Sequence, residues 1–141
     1  MTSYTNPLNA YKETKVRTAG QGKLIVMLYD EALKQIDTCL AQLEGQSRQL
    51  DSIHNSIAKA QDIITELTVS LDFERGGEIA KNLFNLYMFF NRQLMEGNVR
   101  KDPEPIRHIR TFLTQLRDAW VQIAHTQVEG APANSGVDIA G

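Results

Sequence analysis

Residues 71–94 read LDFERGGEIAKNLFNLYMFFNRQL, and the second half of this stretch is apolar around nearly the whole circumference of a helix. On a helical period Ile79, Leu83, Leu86, Phe90 and Leu94 form one stripe. Phe84, Met88 and Met95 form a second, rotated away from the first, and Tyr87 and Phe89 widen both. A helix apolar on all sides is central in a large protein, sits in a membrane, or divides its surface between a core and a partner. A chain of 141 residues strains the first option. The longest uninterrupted apolar run of the stretch, Leu86 to Phe90, is far short of the roughly 20 residues of a bilayer span, which excludes the second. A partner surface or a thickly packed bundle remains.

Outward from this stretch the chain falls into four periodic segments with no alternating strand pattern. The first runs from about Gln21 to Leu43, with Leu24, Leu28, Ala32, Ile36 and Leu40 on one edge and Ile25, Tyr29, Leu33 and Leu43 beside them; Thr18 is the expected cap and Gly45 the stop. The second keeps strict 3-4 spacing through Leu50, Ile53, Ile57, Ala60, Ile64, Leu67 and Leu71, with Ser47 or Asp51 as its cap. Gly76-Gly77 is expected to separate it from a third helix over about Glu78 to Glu96. Gly97-Asn98, Pro103 and Pro105 then mark the turn into a fourth helix carrying Ile106, Ile109, Leu113, Leu116, Trp120 and Ile123. Short connections between helices of this length predict an all-α fold, an antiparallel up-down four-helix bundle over residues 21–127. Residues 128–141 read as a frayed tail. In residues 1–20, Leu8, Tyr11 and Val16 are apolar among polar neighbours, which suits either a strap or short helix on an apolar groove or an ordinary disordered terminus.

Composition bounds the chemistry. The formal net charge of -2, with both signs interspersed, gives no field to draw in nucleic acid. Arg100, Lys101, Arg107, Arg110 and Arg117 read as a solvated helix face, since Asp102, Glu104 and Asp118 dilute them and no aromatic ring is interleaved. Cys39 is the single cysteine, and the opening MTSYTNPLNAYKETK has no apolar signal core, so a cytosolic setting without membrane insertion is expected. Cys39 falls near the apolar side of the first helix, the place of a small core hydrophobe rather than of a nucleophile. The histidines His54, His108 and His125 lack helical neighbours at metal-ligand spacing; Asp51-Ser-Ile-His54 is the nearest approach to a di-iron motif, once only. A histidine phosphotransfer bundle would use His54, but Ile57 and Ala58 stand where such modules typically carry Lys and Gly. Gly20-Gln21-Gly22-Lys23 lacks the spacing of a phosphate loop. Asp72, Glu74 and Glu78 at a helix start suit capping and dipole roles. No enzyme and no cofactor are expected.

Two blocks point further. Thr18-Ala19 with Leu24-Ile25-Val26-Met27-Leu28-Tyr29-Asp30, and Leu71-Asp72-Phe73-Glu74-Arg75-Gly76-Gly77-Glu78-Ile79-Ala80-Lys81-Asn82-Leu83 followed by Leu86-Tyr87 and Arg92, closely resemble the FliS family of flagellin-specific export chaperones. Gly20-Gln21 stands where that family usually has Ser-Pro, and Glu31 where it often has Gly. The resemblance implies a small cytosolic antiparallel bundle without enzymatic activity. It would bind the disordered C-terminal segment of flagellin, prevent premature polymerisation, and deliver its client to the flagellar type III secretion gate through FlhA. Flagellin contacts are then expected at Leu24, Met27, Leu28, Leu83, Phe84, Tyr87, Met88 and Met95. Leu8 and Tyr11 match the family's spacing for residues that cap the empty groove and dock at the gate, with Val16 beside them. A wrapping amphipathic tail would set its apolar anchors into grooves between helices, where methionine adapts to varied side chains. The rival reading is a self-associating structural or regulatory bundle in which the second stripe mediates a homodimer; a monomer or weak homodimer suits the chaperone.

Overall fold

A computed structural model describes residues 20–45 and 49–130, and within them the chain forms four helices and no strand: α1 (Gly20–Leu43), α2 (Leu50–Val69), α3 (Phe73–Arg100) and α4 (Pro103–Gly130). The helices follow one another at short sequence separations and neighbours run antiparallel. Each helix packs on the next and α4 closes the ring against α1.

Every helix turns a heptad-spaced seam inward. In α1 it is Ile25, Tyr29, Ala32, Ile36, Cys39 and Leu43; in α2, Ile53, Ile57, Ala60, Ile64 and Leu67; in α4, Ile106, Ile109, Leu113 and Trp120. All are buried, and this common spacing is what lets four helices cross at shallow angles around one core. The seam of α3 is Ala80, Leu83, Tyr87, Phe90, Leu94 and Gly97. That differs from the expected stripe: Ile79 is 53% exposed and Leu86 only partly buried. The inward line passes through two small residues and a tyrosine, so it is weaker by hydropathy than its flanks.

The helix ends also correct the expectation. The first α2 residue, Leu50, lies outside the core, and its cap position is Gln49, which makes no side-chain cap bond; Asp51 sits inside the first turn instead. α2 stops at Ser70 rather than at the glycine pair. Asp72 then caps a new turn, its Oδ1 accepting from the backbone N–H of Glu74 and of Arg75 at 3.1 Å each. Gly77, with φ 51° and ψ -123°, kinks α3 just beyond that turn. Gly97, expected as a stop, is buried within α3. A Cβ there would lie 2.6 Å from Ile106 Cδ1 and Cγ1, so glycine is required for the approach of α4. α3 ends at Lys101, which takes the left-handed conformation, and Asp102 N–H returns to the Gly97 carbonyl at 3.0 Å. α4 continues past residue 127 to Gly130. The expected caps Thr18 and Ser47 and residues 131–141 of the expected tail lie outside the described residues.

Candidate partner-binding surface

The seam of α3 uses less than half of its circumference, and apolar side chains occupy both flanks. On the α2 side Gln61 Nε2 donates to the Asn91 carbonyl at 3.3 Å, and the Asn98 amide donates to His54 Nδ1 at 2.9 Å. Phe84, Met88 and Met95 share this flank with Asn91 at spacings of four, three and four residues, and Val99 extends the row. Phe84 is 37% exposed, Met95 55% and Val99 78%, with Met88 half-buried between them. Phe84 to Met95 covers about 16 Å of helix axis, the length of three turns of a partner helix.

On the α4 side the rings interlock. Phe89 meets His108 edge-on at 6.2 Å, His108 meets Phe112 at 5.3 Å, and Phe112 tilts against Phe90 at 6.3 Å. Phe112 keeps 37% of its surface exposed. Phe112 lies between seam positions of α4 and gives no periodic signal in the sequence, His108 is read there only as a possible metal ligand, and Val99 falls beyond the expected end of the third helix.

Other expected contacts sit deeper. Leu24, Leu28, Leu83 and Tyr87 are buried in the core, and Met27 is half-buried on α1. The four buried residues underlie the surface instead of forming it. Tyr29 and Tyr87 share a 2.7 Å hydrogen bond between their hydroxyls, tying α1 to α3 across the bundle. Burial pushes the Tyr87 phenol up to about 12 and Tyr29 further still, so both stay neutral. Cys39 is likewise raised to about 12 by burial and the nearby Asp37 charge, which leaves its thiol a core group with no nucleophilic character at neutral pH. Leu8, Tyr11 and Val16 lie outside the described residues.

The opposite corner of the molecule has a different character. Between α1 and α4 an open groove of about 730 Å³ is lined by Leu33, Asp37, Thr38, Arg110, Thr114 and Arg117 among others. Ion pairs Arg117 to Asp30 at 2.7 Å and Arg110 to Asp37 at 2.5 Å lie in its wall, and Arg107 pairs with Glu44 at 3.0 Å between the same two helices. Hydrogen bonding to Asp37 and Asp30 raises the Arg110 and Arg117 guanidinium pKa values above the ordinary arginine value. Three of the five cations expected on a solvated face are thus engaged in a helix–helix seam.

The surface that combines exposure with continuity is the outer side of α3. Among the described residues no group of His, Cys, Asp or Glu could hold a metal ion, and no helix is long and apolar enough to cross a membrane. Residues 4–127 match the family model described as Flagellar protein FliS. The chain belongs to the FliS family. It is 29% identical over 132 residues to the flagellar secretion chaperone FliS of Bacillus subtilis, covering 94% of this chain and 96% of that one. The FliS chaperone of Salmonella typhimurium is 34% identical over 79% of this chain and 82% of its own, and that of Escherichia coli 31% identical over 77% and 79%. FliS relatives carry the name of chaperones, not of enzymes, and the family assigns this bundle to flagellar secretion.

Proposed function

We propose that this FliS-family chaperone binds the disordered C-terminal segment of flagellin along the outer face of α3, keeps flagellin from polymerising early, and delivers it to the flagellar type III secretion gate through FlhA. The observation that carries this reading is the row Phe84, Met88 and Met95, exposed on a bundle whose core is already complete without it. These three, with Met27, are the direct client contacts. Leu24, Leu28, Leu83 and Tyr87 hold the helices that present them. Leu8, Tyr11 and Val16 cover part of the groove in the free protein and dock at the gate. The work is cytosolic and needs no cofactor or nucleic acid.

Calorimetric titration with the C-terminal segment of flagellin, at two temperatures, tests the proposal. Coupled folding of such a segment buries on the order of 1,000–3,000 Å², so one-to-one binding with a strongly negative heat-capacity change is expected. Phe84→Asp and Met88→Asp should each weaken it by roughly tenfold or more while the helical circular dichroism persists, because each sets a charge in a desolvated contact. Loss of the helical signal would make these residues core. A stable homodimer that ignores flagellin, seen in sedimentation, would favour self-association instead.

A further inference from the structure

Two of the three α3 glycines, Gly77 and Gly97, are glycines for different reasons, and the difference assigns a moving part. Gly97 is required by packing against Ile106, whereas a Cβ at Gly77 would have nothing within 4 Å. No neighbour demands glycine there, so the demand comes from the backbone alone: φ 51° with ψ -123° is a conformation that L side chains avoid. The segments on either side of Gly77 are anchored unequally. Beyond it Ala80, Leu83 and Tyr87 are buried, while no residue from Phe73 to Ile79 is. The preceding turn, which follows Leu71 packed against the core, has hydrogen bonds of its own, since Asp72 accepts from Glu74 and Arg75 through its carboxylate and from Gly76 N–H through its carbonyl at 2.8 Å. Its exposed ring, Phe73, lies edge-on over Phe84 at a centroid distance of 6.0 Å, at the end of the apolar row.

We propose that the Asp72–Gly76 turn is a hinged flap that pivots at Gly77, resting Phe73 on Phe84 in the free chaperone and swinging away when an apolar client side chain takes that place. The flap rests on the client reading above. It competes with the client for one ring, so the observed affinity is the intrinsic one reduced by the open fraction.

The test has two readouts. In a Cys39→Ala, Phe84→Cys protein, the rate of maleimide labelling at position 84 reports how often the flap is open, with no client present. Gly77→Ala penalises the closed conformation and should speed labelling by about fivefold or more. With Phe84 retained, Gly77→Ala should tighten binding of the flagellin C-terminal segment by a matching factor. Phe73→Ala removes the cover without touching the backbone and should act in the same direction on both readouts, so the test survives if Gly77→Ala folds poorly. Unchanged labelling in both variants would overturn the hinge. So would a matching rise in labelling of Cys39 when Gly77→Ala is made in a second protein that keeps Cys39 and Phe84, since that reports global unfolding. Faster labelling with unchanged or weaker affinity would show that Phe73 does not compete. Failure of the wild-type protein to bind the flagellin segment would count against the client reading alone, with labelling still deciding the hinge.

Discussion

A buried phenol needs a partner, and Tyr29 and Tyr87 solve the problem for each other. At 2.7 Å one hydroxyl donates and the other accepts, and Trp120 also acts on Tyr29. Tyr29→Phe therefore removes a partner without removing the desolvation cost of Tyr87, and should destabilise the bundle by about 1–3 kcal/mol in urea unfolding. Adding Tyr87→Phe should cost less than the sum of the single changes, because neither ring of the pair then leaves the other's hydroxyl stranded. The same pair sets a pH limit. Tyr87 is raised from 10.0 to about 12 in the folded protein, so the unfolded chain loses its proton first. The stabilisation is complete below pH about 10 and declines as pH climbs toward 12, with Tyr29 adding to the fall. Urea midpoints measured across this range should drop steeply, and should drop less in the double phenylalanine variant.

At the scale of the element, α3 is fixed to α4 at one end by the absence of an atom. Gly97→Ala gains helix propensity, about 1 kcal/mol, but drives a methyl to 2.6 Å from Ile106, which is itself fully buried, with the Asp102 carbonyl at 3.1 Å. Overpacking of this kind costs about 1–3 kcal/mol, so thermal unfolding should show net destabilisation. Ile106→Val, which removes one of the crowded carbons, should cost less in the Gly97→Ala background than in the wild type. This site also explains where the sequence reading of α3 went astray. Glycine as punctuation and glycine as a packing notch look alike in a linear chain, and only the position of Ile106 on the next helix separates them. The inward stripe was misplaced for a related reason. Ala80, Tyr87 and Gly97 are poor hydrophobic signals, yet all three are buried: Ile106 crowds the position of Gly97, and Tyr29 supplies the hydroxyl partner of Tyr87. By contrast α2 is legible, because Ile53, Ile57, Ile64 and Leu67 carry its seam at unbroken 3-4 spacing, and in α1 and α4 enough of the seam is Ile or Leu for the period to show.

For the whole molecule, the expectation of four antiparallel helices followed from periodicity and short connections, and the ring of α1 to α4 agrees with it. The position of the candidate surface was less legible. Eight apolar residues looked equivalent as client contacts, but burial divides them, because partition between core and surface is a property of four helices together. The proposed role of Leu8, Tyr11 and Val16 is the remaining part. If Leu8, Tyr11 and Val16 cover the α3 face in the free protein, deleting residues 1–16 should increase the fluorescence of an apolar dye and change affinity for the flagellin segment. An unchanged dye signal together with unchanged affinity would leave that segment with no role at the surface.

The arginine–carboxylate seam between α1 and α4 and the apolar face of α3 answer to opposite solvent conditions. Added salt screens half-exposed ion pairs such as Arg117–Asp30, and salts excluded from protein surfaces strengthen apolar burial. A high concentration of sulfate would thus relax the α1–α4 corner of the bundle while favouring apolar association at the opposite one.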